Sequence, residues 1–163
     1  MSDYPTLLER AQGVLQDQGS YLQPTDFEQA FREALARYSR DVPRAVYEDF
    51  TGDGTAYQFA FTGPFSVGFS QVTSVEYPVG RRPASYLPAN EFGLYQSDAA
   101  TVKLDLLHAT PGSGVTVRAV YTALHTVEDL DSADETTVST WHEEAFVLLA
   151  ASRMLARLAA RFI

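Results

Sequence analysis

The sequence contains no cysteine, which excludes disulfide bonds, thiolate zinc sites and cysteine nucleophiles together. No stretch reaches about 18 consecutive apolar residues, the length that a membrane-spanning helix requires. The first ten residues, MSDYPTLLER, have neither a basic segment nor an apolar core, so we expect no signal peptide. Lysine and arginine number 12 against 21 acidic residues, a formal charge of -9. Because basic side chains bind phosphates, we expect no sequence-specific nucleic-acid binding and no membrane partner.

Motifs for catalysis and metal binding are also lacking. His108, His125 and His142 have no second ligand at metal spacing within one element, and no HExxH motif occurs. Asp49 and Asp53 do not match a calcium-binding loop, and a polar turn explains them better. The sequence therefore predicts no cofactor and no metal, and it favours a protein that is not an enzyme. Carboxylates brought together by folding in the β region keep a small enzyme or a carbohydrate-binding module open as the alternative.

Two amphipathic helices are predicted before residue 44. The first covers residues 5–18 and ends near Gly19, because apolar residues recur there at helical spacing and glycine commonly terminates helices. The second covers residues 26–39. Thr25 precedes it as the predicted N-cap, and Glu28 lies three residues further on, which is the spacing of a capping box. The N-terminal part of the chain is therefore predicted to be helical.

From residue 45 the apolar period changes to two, which is typical of strands. Residues 46–50 and 57–61 flank one turn and residues 101–107 and 115–122 flank another, so each pair is predicted to form a β-hairpin. Residues 69–77 form a further strand. Strands grouped between helices favour the α+β class. We therefore predict one domain, 1–163, with a helical part over 1–44, a small antiparallel β-sandwich or barrel over 45–124 and a C-terminal helix over 140–163.

The final helix has more apolar surface than the core of one small domain needs. It is predicted over residues 141–163, with Thr140 as its N-cap and Glu143 completing a capping box. From Ala145 to Ala151 every residue is apolar, whereas a surface helix of a monomer needs only one apolar stripe. We therefore predict that this helix contacts protein on most of its sides.

An interface with a partner or a neighbouring subunit is predicted along this helix. Its arginines lie four residues apart and form one stripe. The stripe is either a solvated or salt-bridged edge or an ion-pair row towards an acidic partner, for which the loop of residues 128–135 is a candidate. The predicted interface residues are Phe146, Leu149, Arg153, Arg157, Leu158, Arg161, Phe162 and Ile163. Aromatic residues of the turn-rich connection are further candidate anchors, because tyrosine is favoured at interface hot spots: Tyr86, Phe92 and Tyr95.

Five segments follow one another in a recognisable order. They are FEQAFREALARYSRDVPR (27–44), EDFTGDG (48–54), GFSQVTSVEYPVG (68–80), VRAVYTALH (117–125) and the alanine-rich closing helix. In this order they resemble the head-to-tail connector, or adaptor, proteins of tailed bacteriophages. The resemblance extends over residues 27–160. Many adaptors of this class are all-helical, and the β region of this chain departs from them.

The resemblance implies a structural protein of the virion neck that is assembled in the host cytoplasm. Such adaptors form a ring, often of about a dozen copies, beneath the portal and provide the platform for the next neck or tail protein. The implied partners are further copies of this chain, the portal protein and a neck or tail completion protein. Besides the enzyme or carbohydrate-binding module, a generic oligomeric regulator is a third interpretation.

Overall fold

The computed structural model describes residues 1–16, 21–96, 98 and 101–160. These residues form three α-helices and six β-strands, which confirms the predicted α+β class. The chain divides into two compact units. We call Met1–Pro43 together with His125–Ile163 the helical unit, and Arg44–Leu124 the β unit. The single domain expected from the sequence stays a prediction. None of the described helices is long and apolar enough to cross a membrane.

The helical unit contains α1 (Tyr4–Leu15), α2 (Pro24–Asp41) and α3 (Glu143–Ala160). The carboxylate of Asp3 caps α1 by accepting the backbone N–H of Thr6 at 3.0 Å. The predicted cap of α2 is wrong, because α2 begins two residues early and the carboxylate of Asp26 accepts the N–H of Gln23 at 2.8 Å. A proline at the first helical position lacks only an N–H that would have no partner there, which allows this earlier start. Gly19, the predicted end of α1, lies outside the described residues.

The core of the helical unit forms where α3 packs against α1 and α2. Phe146 is 1% exposed, and its ring centroid lies 5.9 Å from those of Phe31 and Tyr38. Aromatic rings at this separation and tilt stabilise each other beyond the area that they bury. Other core side chains come from all three helices: Leu7, Ala11, Ala30, Ala34, Val147, Ala150, Met154 and Leu158.

The segment that precedes α3 differs from the prediction. Thr140–His142 form a 3-10 turn, and α3 begins only at Glu143. The Glu143 carboxylate accepts the N–H and the hydroxyl of Ser2 at 2.9 and 3.0 Å and the guanidinium of Arg10 at 3.2 Å. Burial raises the pKa of Glu143, but these hydrogen bonds together lower it below its ordinary value. Glu143 therefore ties the N-terminal segment to α3 and is not part of a capping box with Thr140.

The β unit contains two three-stranded antiparallel sheets that share one core. The first sheet has the order β1-β6-β3 and the second has the order β2-β5-β4. Inward residues alternate along β5 and β6, as predicted, and Leu104 and Val117 are fully buried. The unit is thus a small sandwich. Its strands are β1 (Arg44–Thr51), β2 (Gln58–Ala60), β3 (Val72–Glu76), β4 (Phe92–Gln96), β5 (Val102–Leu106) and β6 (Thr116–Ala123).

Both predicted hairpins are wrong. β1 pairs with β6 and β2 with β5, so the chain changes sheets between β1 and β2 and again between β5 and β6. The two connecting loops pair with each other: Gly52 donates its N–H to Val115 at 2.8 Å, and Gly114 donates to Gly52 at 2.9 Å. A Cβ on Gly52 would lie 2.6 Å from the Cβ of Pro111. Residue 52 is therefore glycine because the loops cross in close contact.

Strand β4 was not predicted, because its segment lies in a stretch rich in turn residues. Gly93 interrupts it, and Leu94 and Tyr95 are both exposed, so it lacks the alternation by which strands are recognised. β4 pairs along its length with β5, with Leu94 opposite Leu104. β4 and β5 are consecutive in sequence and adjacent in one sheet, and sequence reasoning missed this pairing.

Candidate interaction surface

One side of α3, together with Trp141 in the 3-10 turn before it, is exposed and mainly apolar. We call it the exposed α3 face; its apolar residues are Trp141, Ala145, Leu148, Leu155 and Ala159, and Ser152 is exposed on the same side. Trp141 is 92% exposed, Leu148 50% and Leu155 46%. These residues recur at intervals of three, four or seven positions, so they lie on one side of the helix, opposite the buried side. An apolar row of this length on a helix is what a second helix or a groove covers in an assembly.

The residues predicted as interface from the sequence divide into three groups. Phe146 and Leu158 lie in the core of the helical unit, at 1% and 6% exposure, so their side chains are covered within the chain. Leu149 is half-buried against that core. Arg153 is exposed and Arg157 is half-buried. The predicted interface residues at the end of the chain lie outside the described residues: Arg161, Phe162 and Ile163.

The sequence predicted this helix, but it did not show which side of the helix is buried and which is exposed. Every residue from Ala145 to Ala151 is apolar, so no polar residue marks which side faces water. The structure buries Phe146 and Val147 and leaves Leu148 exposed. Trp141 lies in the 3-10 turn before the helix, and its exposure was not predicted.

Among the described residues, the arginine stripe makes one ion pair, between Arg157 and Glu33 of α2. Within the acidic loop of residues 128–135, Asp131 accepts a hydrogen bond from Arg32 at 2.7 Å, and the loop of the same chain does not pair with Arg157. The pair between Arg157 and Glu33 follows from packing, because α3 lies against α2 and brings Arg157 close to Glu33. The sequence left two alternatives for this stripe: a solvated or salt-bridged edge, or an ion-pair row towards an acidic partner. Within the chain, Arg157 forms a salt bridge and the side chain of Arg153 is exposed.

Beside this ion pair, α2 and α3 enclose an open depression of about 290 Å³. Arg37, Arg40 and Arg153 line it together with Glu33 and Ala36. Arg37 donates to Asp41 at 2.7 Å, one helical turn away. We call this feature the arginine depression. It concentrates positive charge on a chain whose formal charge is -9.

The three candidate anchors of the β unit differ in exposure. Tyr86 is 60% exposed and Tyr95 47%. Phe92 packs against the core of the sandwich and is half-buried. Tyr47 and Tyr57 are exposed to a similar degree but were not singled out, because alternation alone predicted them as strand residues.

Carboxylates of the β unit are engaged in holding its loops and strands. Asp49 accepts two hydrogen bonds from Arg118, at 2.6 and 2.7 Å, which lower its pKa. Asp53 accepts the backbone N–H groups of Ala56 and Thr55 at 2.6 and 2.7 Å, and these lower its pKa as well. Asp53 thus forms the polar turn that the sequence predicted.

Glu48 binds the loop that follows β2. Its carboxylate accepts the N–H and hydroxyl of Thr62 at 2.8 and 2.6 Å and the N–H of Gly63 at 3.2 Å. The hydroxyl of Tyr121 donates to it at 3.3 Å. Burial and the Glu48 charge raise the pKa of Tyr121 to about 12. A carboxylate used in this way stabilises the sandwich.

His125 and His142 both pack against the ring of Tyr38, with ring centroids 4.7 and 5.9 Å from it. His125 has its ring nitrogens 2.9 Å from the carbonyl of Thr137 and 2.8 Å from that of Val42. His142 Nδ1 lies 2.9 Å from the hydroxyl of Tyr38. Among the described residues, no group of three His, Asp or Glu side chains is arranged to hold a metal ion. These histidines contribute to packing and hydrogen bonding in the helical unit.

An open cavity of about 190 Å³ lies in the β unit. It lacks carboxylates and cations among the side chains that line it, so it offers no acid–base pair. Its lining residues are Phe65, Val67, Gly68, Ser70, Leu94, Gln96 and Val102.

No protein-family model and no curated protein sequence matches this chain. Among solved structures, the chain is similar to one described as the neck of an empty GTA particle computed with C6 symmetry. The two are 16% identical, and the similarity covers 93% of this chain and 80% of that chain with a TM-score of 0.39. A TM-score of this size does not by itself establish a common fold.

Proposed function

We propose that this chain is a structural protein of the virion neck of a tailed phage or a phage-like particle. It acts as a head-to-tail adaptor: copies of the chain form a ring beneath the portal and join the DNA-filled head to the neck or tail. Its mechanism is binding, without a chemical step or a cofactor. The observation that carries this proposal is the exposed α3 face, an apolar surface left uncovered by the described residues.

The energy available from covering this face supports an assembly role. Burying an exposed leucine contributes roughly 1.5–3 kcal/mol, and Trp141, Leu148 and Leu155 all have most or about half of their surface exposed. Each subunit of a ring presents the same two patches, so modest contacts are repeated at every interface. The portal or a neighbouring subunit is the surface that covers this face in our proposal.

The β unit has a second role in this proposal. Tyr86 and Tyr95 are exposed on it, and exposed tyrosines supply contact area at low entropic cost. We assign this unit to the contact with the next neck or tail protein or with a neighbouring subunit. The order of segments over residues 27–160 that resembles adaptor proteins supports the adaptor role of the chain as a whole.

The rival function is a small enzyme or a carbohydrate-binding module with a site in the β unit. The geometry gives it little support. Glu48, Asp49 and Asp53 are each bound within the unit, and the cavity of the unit lacks charged lining residues. A generic oligomeric regulator would use the same exposed α3 face, and only the identity of the partner separates it from an adaptor.

Portal binding by a matched pair of variants tests the proposal. Leu148→Asp with Leu155→Asp places two charges on the exposed α3 face, whereas Val14→Asp changes a side chain of similar exposure, 48%, on α1. With the portal protein of the same particle, we expect the wild type and Val14→Asp to co-sediment and the double variant to be lost. Equal co-sedimentation of all three, with equal circular dichroism, would contradict the proposal.

A further inference from the structure

The helical unit carries two charged surfaces of opposite sign that are only partly neutralised within the chain. The first is the arginine depression between α2 and α3. Arg37 pairs with Asp41 and Arg157 with Glu33, which leaves Arg40 and Arg153 without a carboxylate partner in the described part of the chain. Both are exposed at the same open depression of about 290 Å³. Two guanidinium groups on different helices facing one depression form a site for an acidic group.

The second surface is the acidic loop, residues 128–135. Its exposed carboxylates include Glu128, Asp129 and Asp134, and these side chains have no cationic partner among the described residues. The backbone of the loop is well held: Glu128 donates its N–H to the hydroxyl of Thr136 at 2.9 Å. The loop therefore presents its carboxylates on a fixed backbone.

The acidic loop is anchored away from the depression of its own chain. Asp131 accepts from Arg32 at 2.7 Å. Arg32 and Arg40 are eight residues apart on α2, and a helix rises by about 1.5 Å per residue, so about 12 Å of helix separates them. The loop cannot hold this contact with Arg32 and also fill the depression beyond it. An acidic group that occupies the depression comes from another molecule.

We propose that the acidic loop of one copy of this chain docks into the arginine depression of the next copy. The two surfaces differ, so the contact is heterologous and generates a ring if the rotation closes. Glu128 and Asp134 of one subunit face Arg40 and Arg153 of its neighbour. This inference rests on the proposed adaptor function and names one contact between neighbouring subunits of the ring. DNA is the less favoured occupant, because a formal charge of -9 repels phosphates.

Cross-linking tests which surfaces meet. The chain has no cysteine, so Arg153→Cys and Asp134→Cys each introduce one thiol at an exposed position. The two variants are mixed, assembled with the portal protein and treated with a short bismaleimide. The matched control replaces Arg153→Cys by Arg81→Cys, an exposed arginine of the β unit. We expect at least several-fold more mixed dimer from the Arg153/Asp134 pair than from the control. Equal yields would overturn the inference.

Charge exchange provides the second test. One chain carries Arg40→Glu with Arg153→Glu, and another carries Glu128→Arg with Asp134→Arg. We expect each chain alone to form about tenfold fewer rings on the portal, and an equal mixture to recover ring formation, because every contact in an alternating ring again joins opposite charges. Failure of the mixture to recover would contradict the inference.

Three further outcomes separate this inference from the adaptor function and from DNA binding. If each charge-reversed chain alone forms rings normally on the portal, the inference fails and the adaptor function stands. If the wild type never joins the portal, the adaptor function fails independently. If a DNA oligonucleotide binds the wild type and is lost from Arg40→Glu with Arg153→Glu while the cross-link stays at the control level, DNA occupies the depression and the inference is overturned.

Discussion

The β unit and the helical unit differ in whether the side chains described above are paired or covered within the chain. In the β unit, Asp49 is bound by Arg118 and Glu48 by the loop after β2. In the helical unit, the exposed α3 face and the pair Arg40 and Arg153 have no covering group in the described residues. The comparison teaches that Glu48 and Asp49 of the β unit hold its own fold, whereas Arg40, Arg153 and the exposed α3 face of the helical unit are left open to a partner in our proposal.

The largest expected effect comes from comparing a variant on the buried side of α3, which should change stability, with one on its exposed side, which should change portal binding. Phe146→Ala removes a core ring that is 1% exposed, and we expect it to lower the free energy of unfolding by about 3–5 kcal/mol. Leu148→Ala, on the exposed side, should change it by less than about 0.5 kcal/mol but reduce portal binding. Urea unfolding and co-sedimentation check the two effects. Similar destabilisation by both variants would show that Leu148 belongs to the core.

The loop crossing in the β unit gives the next largest effect. In Gly52→Ala the added Cβ meets Pro111 at 2.6 Å, so one of the two loops must move. We expect a loss of about 1–3 kcal/mol, the usual cost of overpacking. Gly13→Ala is the matched control, because nothing lies within 4 Å of its added Cβ. Thermal unfolding measures both, and an unchanged melting temperature for Gly52→Ala would contradict the crossing.

The acid sensitivity of the β unit tests whether its charges are engaged. Arg118 lowers the pKa of Asp49 below its ordinary value of 3.8. A lowered pKa means that this stabilisation is present above about pH 4 and is lost as the pH falls through the folded-state pKa. Asp49→Asn should therefore destabilise the chain modestly at pH 7 and hardly at all near pH 2. Urea unfolding at both pH values checks this; a difference from wild type that persists unchanged at low pH would contradict it.

The smallest expected effect concerns the end of the chain. Deleting Arg161, Phe162 and Ile163 should weaken attachment to the portal while leaving the fold intact, because the sequence predicts these three residues as part of the interface. Circular dichroism and portal co-sedimentation measure the two properties. Unchanged attachment would remove these residues from the predicted interface.

The sequence predicted the helices well, because a 3.6-residue apolar period is a local signal, although both predicted capping boxes are wrong. It did not predict strand partners. Alternation along β1 is the same whether the strand pairs with β2 or with β6, and the choice depends on how both crossing loops pack at Gly52. β4 was missed because Gly93 and two successive exposed residues hide its pattern.

The candidate site was only partly predictable for a similar reason. The helix α3 was identified from its excess of apolar residues, but its stretch from residue 145 to residue 151 is apolar on every side and carries no information about which side is core. Phe146 and Leu148 are equally apolar in the sequence, and only packing against α1 and α2 separates them. The arginine depression needs two helices, so no single stretch of sequence reveals it.

The most direct measurement is an electron cryo-microscopy reconstruction of this chain assembled on the portal protein of the same particle. The account predicts a closed ring in which Trp141, Leu148 and Leu155 are covered by the portal or by a neighbouring subunit. A chain that stays monomeric beside the portal, or a ring in which these three side chains face solvent, would contradict it.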